Sequence, residues 1–285
     1  MKCYDQYVVA YIDVLGTKAR EVTQKEKVLD LFHDLIQRNE DRQKNFQKAY
    51  SRKVWGFSDC AFIAYYENGP LPHTRGLEVV RPMLINLPIE ILRFWDEGFL
   101  VRGGIALGTG FFDDKNDKKF GGEAFEKAAS LGETKKAPPC IFVDEKTAET
   151  FLTALKTAAE HRQQNNDIPD FLRQECPSLW KFPEFILKED DYYYLNVLHL
   201  IEDMAGGVGM EDRYIQKGSF RKKMNDFAEN EIAKAQKNDR TDVIDKWTWM
   251  KKYINERLTL YPDDDPMIDL SAHTCPNNCQ NGVIF

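Results

Sequence analysis

The sequence has no apolar stretch long enough to span a bilayer, and its Met1 end runs straight into a strand-like segment with no apolar leader region. A cytoplasmic protein without a membrane partner is therefore expected. Basic charge is also short: 39 Lys and Arg stand against 46 Asp and Glu, a formal net charge of -7. That balance argues against broad, sequence-independent DNA binding, which needs a surplus of Lys and Arg on one face. It leaves room for a small anionic ligand, which needs only a local cluster of donors or metal ions. Cysteine is scarce. Cys3, Cys60, Cys140, Cys176, Cys275 and Cys279 are mostly scattered through apolar segments as small core residues, which suggests a reducing compartment. Cys275 and Cys279, with His273 nearby, form a Cys-x3-Cys pair without a second pair, so a loose polar tail is favoured over a zinc site. Internal repeats and low-complexity segments are absent as well.

What is present is a globular balance. Of 285 residues, 42% are hydrophobic and 30% charged, which supplies a sizeable core and is too apolar for a disordered chain. The length predicts one domain with a helical appendage. Residues 7–12 are a short run rich in Val, Ile and Tyr that ends at Asp13 and Gly16, as a buried central strand would. Thr23 and Glu26 make a capping-box pair ahead of Val28, Leu29, Leu31, Phe32, Leu35 and Ile36 on one helical stripe. Residues 54–57 and 61–65 flank Ser58, Asp59 and Cys60, predicting a hairpin with Asp59 at its polar tip.

Residues 79–95 predict a helix that starts or kinks at Pro82 and Pro88. A strand over 99–107 carries Arg102, Gly103 and Gly104, a polar loop covers 113–119, a helix begins after Gly122, and a short strand covers 140–143. The order β, α, β, β, α, β is the split βαβ arrangement of an α+β fold. After Asp144 the pattern reads as a helix to about His161, a Tyr-rich strand over 192–198, and helices over 220–235 and 242–258. The last carries Val243, Trp247, Met250 and Ile254 at helical spacing.

A carboxylate that ends an apolar strand is costly unless it is paired, solvated or bound to metal. Asp13 is such a residue, and in this topology Asp59 sits on the neighbouring strand pair, so the two can converge and hold divalent ions. Taken singly, Asp13 reads more readily as a cap of the following turn and Asp59 as a hairpin-turn residue; the pair in this strand order is what favours metal. Arg102 suits phosphate binding or an ion pair, and the adjacent Gly103 and Gly104 allow close approach of a partner chain or ligand.

Four blocks carry a resemblance: 11–16 (YIDVLG), 56–59 (GFSD), 101–108 (VRGGIALG), and 121–124 (GGEA) leading to 128–131 (AASL). In this order they resemble the class III nucleotidyl cyclases. More narrowly, the Ser-Asp hairpin, the Arg-Gly-Gly strand, the Pro before Ile141 and the helical tail with its Trp-rich segment are similar to the bacterial pyrimidine cyclases of Pycsar anti-phage systems. The resemblance implies a cyclase-like catalytic domain over 1–150, with a ferredoxin-like or palm core, and a mostly helical extension over 151–285 packed on it.

By that resemblance Asp13, the backbone carbonyl of Val14 and Asp59 bind two Mg²⁺ or Mn²⁺ ions, and Arg102 binds the triphosphate. The substrate site then includes Trp55, Arg102 and Val14, in a homodimer with sites at the interface. The implied reaction converts UTP to 3′,5′-cyclic UMP and pyrophosphate, making a second messenger for antiviral defence. Trp55, four residues before Asp59, stands where purine cyclases place a base-reading polar side chain; its bulk favours a pyrimidine, though it also suits strand packing. Lys53 and Tyr50 are candidates for reading the base edge. The sequence departs from adenylate cyclases after Gly122: Glu126 and Ser130 replace the usual Asn and Arg, leaving Lys127, Lys135 and Lys136 as candidate cations. The rival readings are a cytidylate or purine cyclase, or a silent nucleotide-binding module. A diguanylate cyclase ranks last, because the hairpin has no Gly-Gly-Asp-Glu-Phe tip.

Overall fold

The computed structural model describes residues 2–45, 50–67, 77–113, 116–133, 138–164, 184–189, 191–202, 207–209 and 214–258. At its centre lies β1 (Lys2–Val14). Alternation sends Tyr7, Val9 and Tyr11 to one face and Val8, Ala10, Ile12 and Val14 to the other, and both sets are buried. That is why the strand reads as a continuous apolar run and not as a polar–apolar alternation. It pairs antiparallel with β3 (Cys60–Glu67) and β4 (Val101–Asp113), while β2 (Tyr50–Phe57) lies outside β3.

Helix α1 (Val22–Asn45) joins β1 to β2, and α2 (Leu77–Asp96) joins β3 to β4. The strand order β2-β3-β1-β4 therefore inserts one antiparallel strand into each βαβ unit, the split arrangement read from the sequence. Both helices pack against the Val8–Val14 face. On α1, Val28, Leu31, Phe32 and Leu35 are buried as expected, but Leu29 is half exposed, because the stripe is narrower than the run of apolar residues. The helix also begins one residue ahead of Thr23: the Gln24 and Lys25 amides bond to the Glu21 carbonyl. Thr23 therefore does not cap it. Helix α2 runs unbroken through Pro82 and Pro88, its course fixed by the buried Met83, Leu84, Leu87 and Ile91.

Beyond Gly108 the structure departs from the sequence reading. The strand continues to Asp113 and returns as β5 (Asn116–Gly121), so the Asp- and Lys-rich stretch is largely the arm of a hairpin and not a loop. Charge is what an edge strand carries to prevent further pairing, and here it masks the strand pattern. Helix α3 (Glu123–Gly132) then crosses the second sheet face and leads to β6 (Ile141–Val143), parallel to β4.

After α4 (Glu145–Gln164), β7 (Ile186–Glu189) and β8 (Tyr192–Leu195) extend the same sheet through β6, giving an eight-stranded mixed sheet in an α+β molecule. The Tyr-rich strand stops at Leu195, three residues short of expectation, and the chain turns into α5 (His199–Glu202). A small ribbon of β9 (Gly207–Gly209) and β10 (Tyr214–Gln216) precedes α6 (Lys217–Lys237) and α7 (Thr241–Arg257). These two helices pack together, with Asn225 and Asn255 exchanging amide hydrogen bonds of 3.1 and 2.9 Å. Trp247, Met250 and Ile254 enter the core shared with α2. Among the described residues, no helix is long and apolar enough to cross a membrane.

One core group ties α5 to α2. The His199 ring lies 3.0 Å from the Leu84 carbonyl, edge-on to Phe185, and burial pulls the imidazole down to about 4. The unfolded chain, near the ordinary 6.5, takes up that proton first, so stability is full above about pH 6.5 and declines toward about pH 4, by up to roughly 3 kcal/mol. Urea unfolding between about pH 7 and 5 is expected to show this decline, flattened in His199→Gln. Equal pH slopes in the two proteins would contradict it.

Candidate functional site

The site lies at the C-terminal end of β1. Register places Asp13 opposite Cys60 on β3 and Arg102 on β4, and Phe57 on β2 opposite Cys60. Side chains at paired positions share a face, so Phe57, Cys60, Asp13 and Arg102 form one row across four strands. Ser58 and Asp59 make the turn between β2 and β3, with Ser58 in the left-handed region at φ 51°.

Two further contacts bring Asp59 to Asp13. The Val14 amide donates to the Asp59 carbonyl at 2.9 Å, and the Thr17 hydroxyl donates to the Asp59 carboxylate. Thr17 can reach back because Gly16 adopts φ 78°, turning the chain sharply after β1 into the 3₁₀ turn Thr17–Ala19. Thr17 is itself buried.

Asp13 is mostly buried and paired with Arg102 Nε at 2.9 Å. Burial pushes its carboxyl up, Arg102 draws it back, and the Asp59 and Glu133 carboxylates push it up again. Burial also raises the neighbouring Tyr11 phenol and Cys60 thiol, with the carboxylates adding to both, so Tyr11 and Cys60 are neutral at pH 7. The Cys60 thiol donates to the Phe57 carbonyl at 3.4 Å. Asp13 thus has one guanidinium as its partner and feels two further carboxylates, Asp59 and Glu133, a local excess of negative charge that attracts cations.

Among the described residues no group of three or more His, Cys, Asp and Glu side chains is arranged to hold a metal. The Asp13 and Asp59 pair supplies hard oxygen donors, which suit Mg²⁺ or Mn²⁺, ions that complete their shells with waters and substrate phosphates. Val14 stands between them, its amide tied to Asp59 and its side chain buried in the opposite face.

Other residues predicted for the site are placed differently. Gly103 and Gly104 serve the chain's own packing: a Cβ on Gly104 would stand 2.3 Å from the Ala128 carbonyl oxygen of α3, and one on Gly103 would stand 2.0 Å from that of Tyr11. The close approach they permit is that of α3 and the neighbouring strand. Gly104→Ala is accordingly expected to cost about 3 kcal/mol by overpacking, read from urea denaturation. Wild-type stability in that variant would contradict the packing described.

Trp55 is 5% exposed. Its ring stacks on Phe120 of β5 at 4.5 Å, meets Phe112 and Phe125 edge-on, and has the Lys53 ammonium 5.6 Å from its centre. The indole N–H has no hydrogen-bond partner among the described residues. Tyr50 lies tilted against Tyr65, away from the Asp13 row. Lys127 pairs with Glu123 at 2.8 Å, and Glu126 and Ser130 are exposed on α3. Lys135, Lys136, Cys176, His273, Cys275 and Cys279 lie outside the described residues.

Sequence reasoning passed over Thr17, Cys60 and Phe57 as members of the site. Phe57 shares its strand face with Trp55, two residues nearer the tip, and period-2 alternation alone could have found it. The chain matches no family model and no curated protein.

Proposed function

We propose that the chain is a class III-type nucleotidyl cyclase that converts UTP to 3′,5′-cyclic UMP and pyrophosphate, producing a second messenger for anti-phage defence. The observation that carries the reading is the convergence of Asp13 and Asp59 at the end of the central strand, beside Arg102, in the split βαβ order. Of the sequence blocks resembling these cyclases, 11–16, 56–59 and the start of 101–108 fall on that same sheet end, 128–131 falls on α3, and 121–124 lies where β5 passes into α3.

In this reading Asp13, Asp59 and the Val14 carbonyl hold two Mg²⁺ or Mn²⁺ ions, which when bound lower the pKa of the substrate 3′-hydroxyl and neutralise the triphosphate. The chain's own contribution is positional. Thr17 fixes the Asp59 carboxylate, Arg102 orients Asp13 and offers its remaining N–H donors to phosphate oxygens, and the buried Trp55 and Tyr11 next along their strands exclude water from one side of the site. Any limit that Trp55 sets on base size acts through Phe120, which stacks on it. A homodimer with sites at the interface belongs to the proposal and rests on the resemblance.

Pyrophosphate release from UTP, CTP, ATP and GTP with Mn²⁺ tests the substrate class. UTP is expected to be fastest. Preference for CTP, or for ATP or GTP, would move the assignment to the cytidylate or purine reading. Binding without release from any of the four would make the chain a silent module.

A further inference from the structure

We infer that Phe57 is the platform on which the nucleotide base stacks, so that the substrate lies across the end of the sheet with its phosphates toward Arg102 and its base toward the β2 edge. The inference rests on the proposed function and gives Phe57, which lies in the 56–59 block, a role that the resemblance does not assign. Four observations carry it.

First, Phe57 is in the same row as the carboxylates. With strands roughly 5 Å apart, it stands about 10 Å from Asp13 on one side, and Arg102 about 5 Å on the other. The order Arg102, Asp13, Cys60, Phe57 thus runs from cation through carboxylate to aromatic ring, the order in which a nucleoside triphosphate presents phosphate, sugar and base.

Second, Phe57 is 46% exposed, and among the residues whose side-chain exposure is described it is the only exposed large aromatic; Val22, Leu29 and Leu152 are aliphatic and lie on helices. Third, the ring is braced. Phe62 meets it edge-on at 6.5 Å and Phe120 lies tilted against it at 5.8 Å, so it is supported from the protein side and reachable from the other. A supported ring loses little conformational freedom when a base lies on it. Fourth, Trp55, the aromatic that spacing from Asp59 singles out, is enclosed by Phe112, Phe120 and Phe125, which leaves Phe57 as the accessible ring of the row.

Stacking accepts any base, since every base has a π-face, so Phe57 supplies affinity and leaves the choice among bases to other groups. The test is calorimetric titration of wild type, Phe57→Ala and Phe57→Tyr with UTP, ATP and inorganic tripolyphosphate, using Ca²⁺ as the cation. Phe57→Ala should weaken UTP and ATP about tenfold each, leave tripolyphosphate within about twofold, and be rescued by Phe57→Tyr. Equal UTP affinity in wild type and Phe57→Ala overturns the stacking role and leaves the proposed function standing. Parallel loss of UTP and tripolyphosphate also overturns it, because Phe57 would then merely hold the hairpin. A lower mass for Phe57→Ala by light scattering, with tripolyphosphate affinity lost, assigns the ring to a chain interface instead. Wild-type protein that binds neither UTP nor tripolyphosphate overturns the proposed function itself.

Discussion

Asp13→Asn and Asp59→Asn are each expected to reduce UTP turnover by at least about a thousandfold, the several kcal/mol of charge stabilisation that bound cations supply in phosphoryl chemistry. The amide is nearly isosteric with the carboxylate and a poor ligand for Mg²⁺ or Mn²⁺. Folding should survive both changes. At position 59 the Thr17 hydroxyl still finds an acceptor in the amide oxygen. At position 13 the substitution removes a carboxylate whose charged form burial disfavours, even with Arg102 beside it. The Arg102 guanidinium keeps a neutral acceptor in the introduced amide oxygen, so the variant should still melt cooperatively while activity is lost. The check is turnover measured beside a melting curve; a folded variant with wild-type activity would remove the two-cation assignment.

Arg102→Ala should lower kcat/KM for UTP by about a hundredfold, the range found when one preorganised donor to a developing oxyanion is removed. Arg102→Lys should recover only part of this, since an ammonium cannot reproduce the planar fork. The ion pair with Asp13 adds a readout independent of turnover. Without the guanidinium, the Asp13 carboxylate has lost its counter-charge while the Asp59 charge still acts on it, so Mn²⁺ should raise the melting temperature of Arg102→Ala more than that of wild type. An equal Mn²⁺ shift in both proteins would mean that cations bind elsewhere. Wild-type kinetic constants in Arg102→Ala would make the arginine purely structural.

The central part of the fold was legible because its signals are local. An apolar run ending in Asp13, a Ser-Asp turn between two apolar stretches and two amphipathic helices leave one compact arrangement, and register then brings Asp13, Arg102 and the hairpin tip together. Illegible parts share a cause. β5 is an edge strand whose charged residues look like a loop, and missing it meant missing Phe120, the ring that covers Trp55. Trp55 thus looked open from its spacing to Asp59, whereas Phe57, the exposed ring, looked ordinary. Gly103 and Gly104 announce a close approach, but a sequence does not say which element approaches; here it is β1 at Gly103 and α3 at Gly104. Thr17 was invisible because its contact with Asp59 depends on the left-handed turn at Gly16 and joins residues 42 positions apart.

The central claim is that the Asp13 and Asp59 end of the sheet cyclises a pyrimidine nucleotide, and the product itself tests it most directly. Purified protein incubated with UTP and Mn²⁺, with the products identified by mass spectrometry against authentic 3′,5′-cyclic UMP, should yield that compound and pyrophosphate in equal amounts, and neither should form with Asp59→Asn. Unchanged UTP, or hydrolysis to UDP or UMP without a cyclic product, would contradict the account.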